Sequence, residues 1–152
     1  NFKWAKLLEQ FNKLTPQIAL KISQIADQSI ERQNENLTKI RKLFLSLSDG
    51  NNLLDFYTDQ ELDISNISID HFIPWSFIYS DDIWNLVPTS KSYNSSKSNK
   101  LPKEELIIKL NERNKKLLSI LKLNPKYKDL VYDLENAICN NLVKEYYYIC
   151  KM

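Results

Sequence analysis

The 152-residue sequence is poor in cysteine, glycine and histidine, with two, one and one respectively. The cysteines, Cys139 and Cys150, stand eleven apart in a helical pattern and so near one face. That spacing describes core thiols in a cytosolic chain and argues against a disulfide framework. Long apolar runs are missing too: nothing approaches the roughly 18 residues of a spanning helix, and no signal-like stretch opens the sequence, so neither membrane nor secretion is supported. The chain begins at Asn1 rather than Met, and no targeting is read from that end. A net charge of +2 is too small for a surface basic throughout, which confines any polyanion-binding face to a local stretch. Repeats and low-complexity tracts are absent. What is present, 43% apolar and 26% charged residues, describes a soluble globular chain long enough to bury a sizeable core.

Helical periodicity dominates both ends. Phe2, Trp4, Leu7, Leu8, Phe11 and Leu14 recur at helical spacing, and Thr15-Pro16 then opens a second helix carrying Ile18, Ile22 and Ile25. A third amphipathic stretch carries Leu37, Ile40, Leu43, Phe44 and Leu47, and the turn Ser48-Asp49-Gly50-Asn51-Asn52, with the only glycine, ends it. The period then changes. Leu53 to Tyr57 and Ile64 to Ile73 are short, rich in isoleucine and aromatics, and predict two strands, the second alternating at Ile67, Ile69, His71 and Ile73. Trp84 to Val87 is a further short extended run broken by Pro88, and Ser90 to Asn99 reads as a short helix stopped at Leu101-Pro102. Beyond it, Leu106, Ile107, Leu110, Leu117, Leu118 and Leu121 mark an amphipathic helix that Asn124-Pro125 breaks. Leu130, Leu134, Ile138, Leu142 and Tyr146 mark a last long one, with the aromatics at 146 to 148 read as core. The expected class is α+β and mostly helical: one domain over 1–152, with a helical lead-in at 1–47, a compact insert at 53–102 and C-terminal helices at 103–152.

The insert carries the chemistry. His71, the only histidine, follows Asp70 directly. Near its ordinary pKa of roughly 6.5 an imidazole can take a proton from water at neutral pH. In a strand the adjacent carboxylate points to the opposite face, so Asp70 does not simply orient the ring and must serve another centre. A hard divalent ion wants oxygen ligands, which Asp70 and an asparagine amide oxygen could supply while water and a substrate phosphate fill the rest. A base beside a sparsely held metal is the minimum for phosphodiester hydrolysis; the plain alternative is a hydrogen-bonded histidine at a strand end. Between Ile83 and Lys103 lie four lysines, Lys91, Lys97, Lys100 and Lys103, and no acid. They make either a solvated loop or a local phosphate-binding face.

The order of these residues, Asp70-His71-x-x-Pro74-Trp75-Ser76, then Trp84-Asn85-Leu86-Val87, then Asn94-x-x-Lys97-Ser98-x-x-Leu101-Pro102, resembles the HNH endonuclease signature. Spacings of fourteen and then nine residues, from His71 to Asn85 to Asn94, are similar to those in the HNH domains of CRISPR effector nucleases and in stand-alone bacterial HNH proteins. The resemblance implies a ββα-metal finger inserted between the helices: Asp70-His71 ends the first strand, Asn85 opens the second and Asn94 lies on the helix. It implies His71 as general base, Asp70 and Asn94 as ligands of one Mg²⁺ or Mn²⁺, and Asn85 as the amide that bridges backbone groups and holds the His71 loop in register. DNA is the implied substrate, with RNA left open, and Lys91, Lys97 and Lys100 are placed to meet phosphates, with Lys103 beyond them. The flanking helices could dimerise, dock onto a larger protein, or cap the finger. Many members hold a structural zinc with two cysteine pairs; the corresponding places here are Asp55, Thr58, Ser90 and Tyr93, which lack thiolates, so no structural zinc is expected. Either packing of Phe56, Tyr57, Phe72, Trp75, Trp84 and Tyr93 as a small core or dependence of the finger on the flanking helices is expected in its stead. A catalytically inactive nucleic-acid or protein-binding module, with the finger as a relic, is the alternative.

Overall fold

The computed structural model describes residues 29–48 and 52–152. The expected helices over residues 2–14 and 15–25 lie outside that range. Helix α1, Ser29–Leu47, buries Ile40, Leu43 and Phe44, the three-and-four spacing of one face, against β1. Arg41 ties it to the next segment by donating from Nη2 to the carbonyl of Ile64, 2.7 Å away.

A two-stranded antiparallel sheet follows, β1 at Ile67–His71 and β2 at Leu86–Ser90, in the register Ile67 opposite Ser90 through His71 opposite Leu86. Helix α2, Trp75–Ile78, and a 3-10 turn at Ile83–Asn85 occupy the connection, and α3, Lys91–Lys97, continues directly from β2. Ser90 caps α3, its hydroxyl accepting from the Tyr93 amide at 3.1 Å. The molecule is mostly helical with a small ββα unit, as expected.

Two strand assignments are corrected. Leu53 to Tyr57 forms no strand; one isolated bridge, Leu54 to Glu61, is all that pairs there. The Asp55 carboxylate accepts from the amides of Tyr57 and Thr58, and Asp59 takes a left-handed φ of 58°, so the segment closes into a turn. The partner of β1 is the run at 86–90, and Pro88 does not break it. The Pro88 carbonyl faces outward to accept from the Phe56 amide at 2.9 Å, so its nitrogen, which has no hydrogen to donate, also lies on the sheet's free edge.

Helix α4, Leu106–Leu121, buries Ile107, Leu110, Asn114, Leu117 and Leu121, again one face. Asn124 and Pro125 start a 3-10 turn, after which come α5, Lys128–Cys139, and α6, Leu142–Lys151. The single last helix read from the sequence is therefore two. Asn141 takes a left-handed φ of 52° between them, a conformation asparagine tolerates better than most residues. That break removes the shared face proposed for the cysteines: both are free thiols, but Cys139 is exposed and only Cys150 is partly buried.

One apolar cluster runs from α1 through the sheet to α4, α5 and α6. Phe72, fully enclosed, meets the rings of Phe56, Tyr57 and Tyr147 at centroid distances of 5.9, 6.5 and 6.2 Å, and Trp84 packs against Tyr146. Burying each such side chain stabilises the fold by about 1.5–3 kcal/mol. The aromatic core is therefore shared between the finger and the C-terminal helices; Trp75, paired edge-on with Tyr79, sits only half-buried at its margin. Polar side chains of α4 complete the joint. Lys109 donates to the Phe56 carbonyl and Asp59, and Arg113 and Asn114 donate to the carbonyl of Trp84. Among the described residues no helix is long and apolar enough to cross a membrane.

Candidate active site

The alternation of β1 sends Ser68 and Asp70 to the face that α3 covers, and Ile67, Ile69 and His71 to the other. Residues one turn apart on α3 meet that first face: Asn94 donates from Nδ2 to the Ser68 hydroxyl at 2.7 Å, and Lys97 reaches Asp70 Oδ2 at 3.0 Å. The Tyr57 hydroxyl donates to the same Asp70 oxygen at 2.5 Å. Burial first, and then the adjacent Asp70 carboxylate, pushes the Tyr57 phenol far above its ordinary range, so it remains a protonated donor. The sequence marked Tyr57 only as core.

Lys97 was expected to face substrate phosphates. Instead it is turned inward, its side chain 5% exposed, and its ammonium also donates to the His71 carbonyl at 2.9 Å. An interior ammonium needs a carboxylate opposite it, and Asp70 is the one in reach. Lys91, Lys100 and Lys103 are exposed, with Lys91 donating to the Ser65 carbonyl.

His71 ends β1, and its Nε2 lies 2.7 Å from Asp81 Oδ1, with both side chains about nine-tenths enclosed. Asp81 was not anticipated. The available signal was that Asp81 and Asp82 are the only acids between His71 and Glu104.

Asn85 is fully buried at the end of the 3-10 turn that leads into β2. Its Oδ1 accepts from the Ile73 amide and its Nδ2 donates to the Ile73 carbonyl, each at 2.9 Å, while its own carbonyl accepts from the Phe72 amide at 2.8 Å. The two ends of the 72–85 connection are thus closed beside His71. Replacing Asn85 with alanine strands two buried backbone groups, each worth about 1–3 kcal/mol. Asn85→Ala is therefore expected to lose roughly 2–4 kcal/mol in urea denaturation, and a stability within 1 kcal/mol of wild type would rule this lock out.

The donor set suits a hard ion. Among the described residues, Asp70 Oδ1 and the Asn94 amide oxygen accept no hydrogen bond, and both are of the oxygen type that Mg²⁺ and Mn²⁺ prefer. No three His, Cys, Asp or Glu side chains converge among the described residues, so a cation here would rely on water and substrate oxygens for the rest of its shell.

The four places aligned with the zinc cysteines hold a different device. Asp55, 2% exposed, accepts at Oδ1 from the amides of Tyr57 and Thr58, at 2.8 and 3.3 Å. At Oδ2 it accepts from the Thr89 hydroxyl and the Ser90 amide, both at 2.9 Å. One carboxylate thereby ties the 55–58 turn to the end of β2, and Tyr93 stacks on Tyr57 with ring centroids 4.6 Å apart.

Residues 55–103 match the HNH endonuclease family. The chain is similar to the CRISPR-associated endonuclease Cas9 of Streptococcus mutans serotype c, 38% identical over 90 residues, which is 57% of this chain and 6% of that protein. Cas9 of Listeria innocua serovar 6a is 40% identical over 79 residues, 50% of this chain and again 6% of the relative. The chain therefore spans only a small fraction of the length of these relatives. The segment that matches the HNH endonuclease family contains Asp70, His71, Asn85 and Asn94.

Proposed function

We propose that this chain is a metal-dependent endonuclease that hydrolyses phosphodiester bonds in DNA. His71 is the general base that takes a proton from the attacking water. Asp70 and Asn94 hold one Mg²⁺ or Mn²⁺, which when bound would stabilise charge on the phosphate and on the departing oxygen. Asn85 fixes the loop beside His71. Exposed Lys91, Lys100 and Lys103 would meet phosphates, and Lys97, from inside, holds Asp70 and the His71 carbonyl. The observation that supports this reading is that the ββα unit sets the Asp70 carboxylate on the strand face that α3 covers, with Asn94 on that helix, while the next residue, His71, ends the strand with its side chain on the opposite face. The free thiols support a reducing compartment such as the cytoplasm, and the likeness to short segments of much longer nucleases supports attachment to a larger protein.

A second reading, a binding module on a relic finger, draws on one observation. Asp70 and His71 are both buried, and each has an internal partner at one side-chain atom, as structural polar groups do. Supercoiled plasmid separates the two. Nicked or linear product with Mg²⁺ or Mn²⁺, lost in EDTA, is expected; DNA retention without cleavage under either ion would favour the binding module.

A further inference from the structure

We propose that Asp81 is the positioning residue of His71, holding a proton on Nε2 so that Nδ1 is the bare nitrogen offered to water. The inference rests on His71 being the base and names what sets that base's orientation and tautomer.

The 2.7 Å contact joins Nε2 to a carboxylate oxygen. In a neutral imidazole one ring nitrogen carries the hydrogen and the other a lone pair. Two lone pairs facing each other at that distance in an enclosed site repel, so the nitrogen turned to Asp81 is the one that carries the hydrogen. Among the described residues Nδ1 has no hydrogen-bond partner, which leaves its lone pair available. The other nearby carboxylate cannot do this work, because Asp70 is on the opposite face of β1 and bound to Tyr57 and Lys97.

Asp81 is held in place as a positioning group must be. Tyr79, with a left-handed φ of 56°, closes α2 through its amide to the Trp75 carbonyl. Ser80 donates to Asp82 Oδ2 at 2.7 Å, and the Asp82 carbonyl accepts from the Asn85 amide at 2.9 Å. The base of the loop is shut by the Asn85–Ile73 pair. His71 and Asp81 thus stand on two limbs of one closed loop, and a shift of either limb would turn the ring. In the reaction one proton passes from water to Nδ1 while the proton on Nε2 stays with the ring, facing Asp81.

The single histidine makes the test direct. Full-length chain labelled with ¹⁵N-histidine gives signals from one imidazole, and two-bond ¹⁵N–¹H correlations at a pH above the ordinary histidine range report which nitrogen is protonated. Wild type is expected to show the Nε2–H form, and Asp81→Ala a mixture of both. On a DNA duplex with Mg²⁺, Asp81→Ala is expected to lower kcat about 10–100-fold with KM changed little. An Nδ1–H form in wild type overturns the proposal without any variant, as does a folded Asp81→Ala with wild-type kcat. His71→Ala on the same duplex separates the two levels. If it cleaves normally, the base assignment fails; if it is inactive while Asp81→Ala is fully active, only the role of Asp81 fails.

Discussion

His71→Ala is expected to abolish plasmid cleavage while leaving Mn²⁺ binding and DNA retention close to wild type, whereas Asp70→Ala is expected to lose cleavage and ion binding together. A general base contributes about 10²–10⁴-fold to a hydrolysis rate, and His71 touches neither the Asp70 carboxylate nor the Asn94 amide. Asp70 differs because its Oδ2 also balances the enclosed Lys97 ammonium. Removing one member of a buried pair strands the other, at a cost of about 3–5 kcal/mol. Asp70→Ala alone therefore confounds folding with ion binding, and the double variant Asp70→Ala/Lys97→Met separates them. The double variant is expected to regain most of the stability lost by Asp70→Ala and still bind no ion. Isothermal titration with Mn²⁺, gel shift, plasmid cleavage and urea denaturation provide the readouts. Cleavage by His71→Ala at the wild-type rate, or undiminished Mn²⁺ binding by the double variant, would remove the respective role.

The order Asp70-His71, Asn85, Asn94 was legible through its resemblance to the HNH signature, which implies a strand end, the entry to the next strand and a helix for these positions. The resemblance likewise implied the Asn85 lock, and its chemistry fits, since a buried amide has both a donor and an acceptor to offer a backbone. Partners set by tertiary packing were hidden. Leu53 to Tyr57 and Ile64 to Ile73 both read as strands, yet the Asp55 carboxylate turns the first of them, and the run that pairs with β1 contains a proline that a pattern reading demotes. Lys97 looked like a surface lysine because α3 is mostly polar, with three serines, Asn94 and Lys91 around the single aromatic Tyr93. Its inward turn follows from Asp70 lying one strand–helix contact away, a distance that spacing along the chain does not encode. Asp81 was hidden by the excursion of the 72–85 connection, which brings residues ten apart face to face.

Asp55→Ala is expected to be among the most damaging substitutions in the described part of the chain, because that one carboxylate joins the 55–58 turn to the end of β2. Four donors converge on it, three of them backbone amides, and the side chain is almost wholly enclosed. Hydrogen bonds to a charged acceptor contribute about 1.5–3 kcal/mol each, and stranded donors cost more than the bonds were worth. Allowing for partial relaxation, a loss of roughly 3–5 kcal/mol follows, a large part of the ~5–15 kcal/mol that holds a typical domain. Asp55→Asn should recover little, since an amide presents one acceptor oxygen to four donors and turns its own NH₂ toward two of them. The damage is expected to reach the site, because Tyr57, two residues on, donates to Asp70. Urea denaturation of wild type, Asp55→Ala and Asp55→Asn, with metal analysis of the wild-type chain after dialysis against a weak chelator, tests the substitution of carboxylate for zinc. Less than 1 kcal/mol lost in Asp55→Ala, or about one zinc retained per wild-type chain, would show that something other than this carboxylate holds the turn to the sheet.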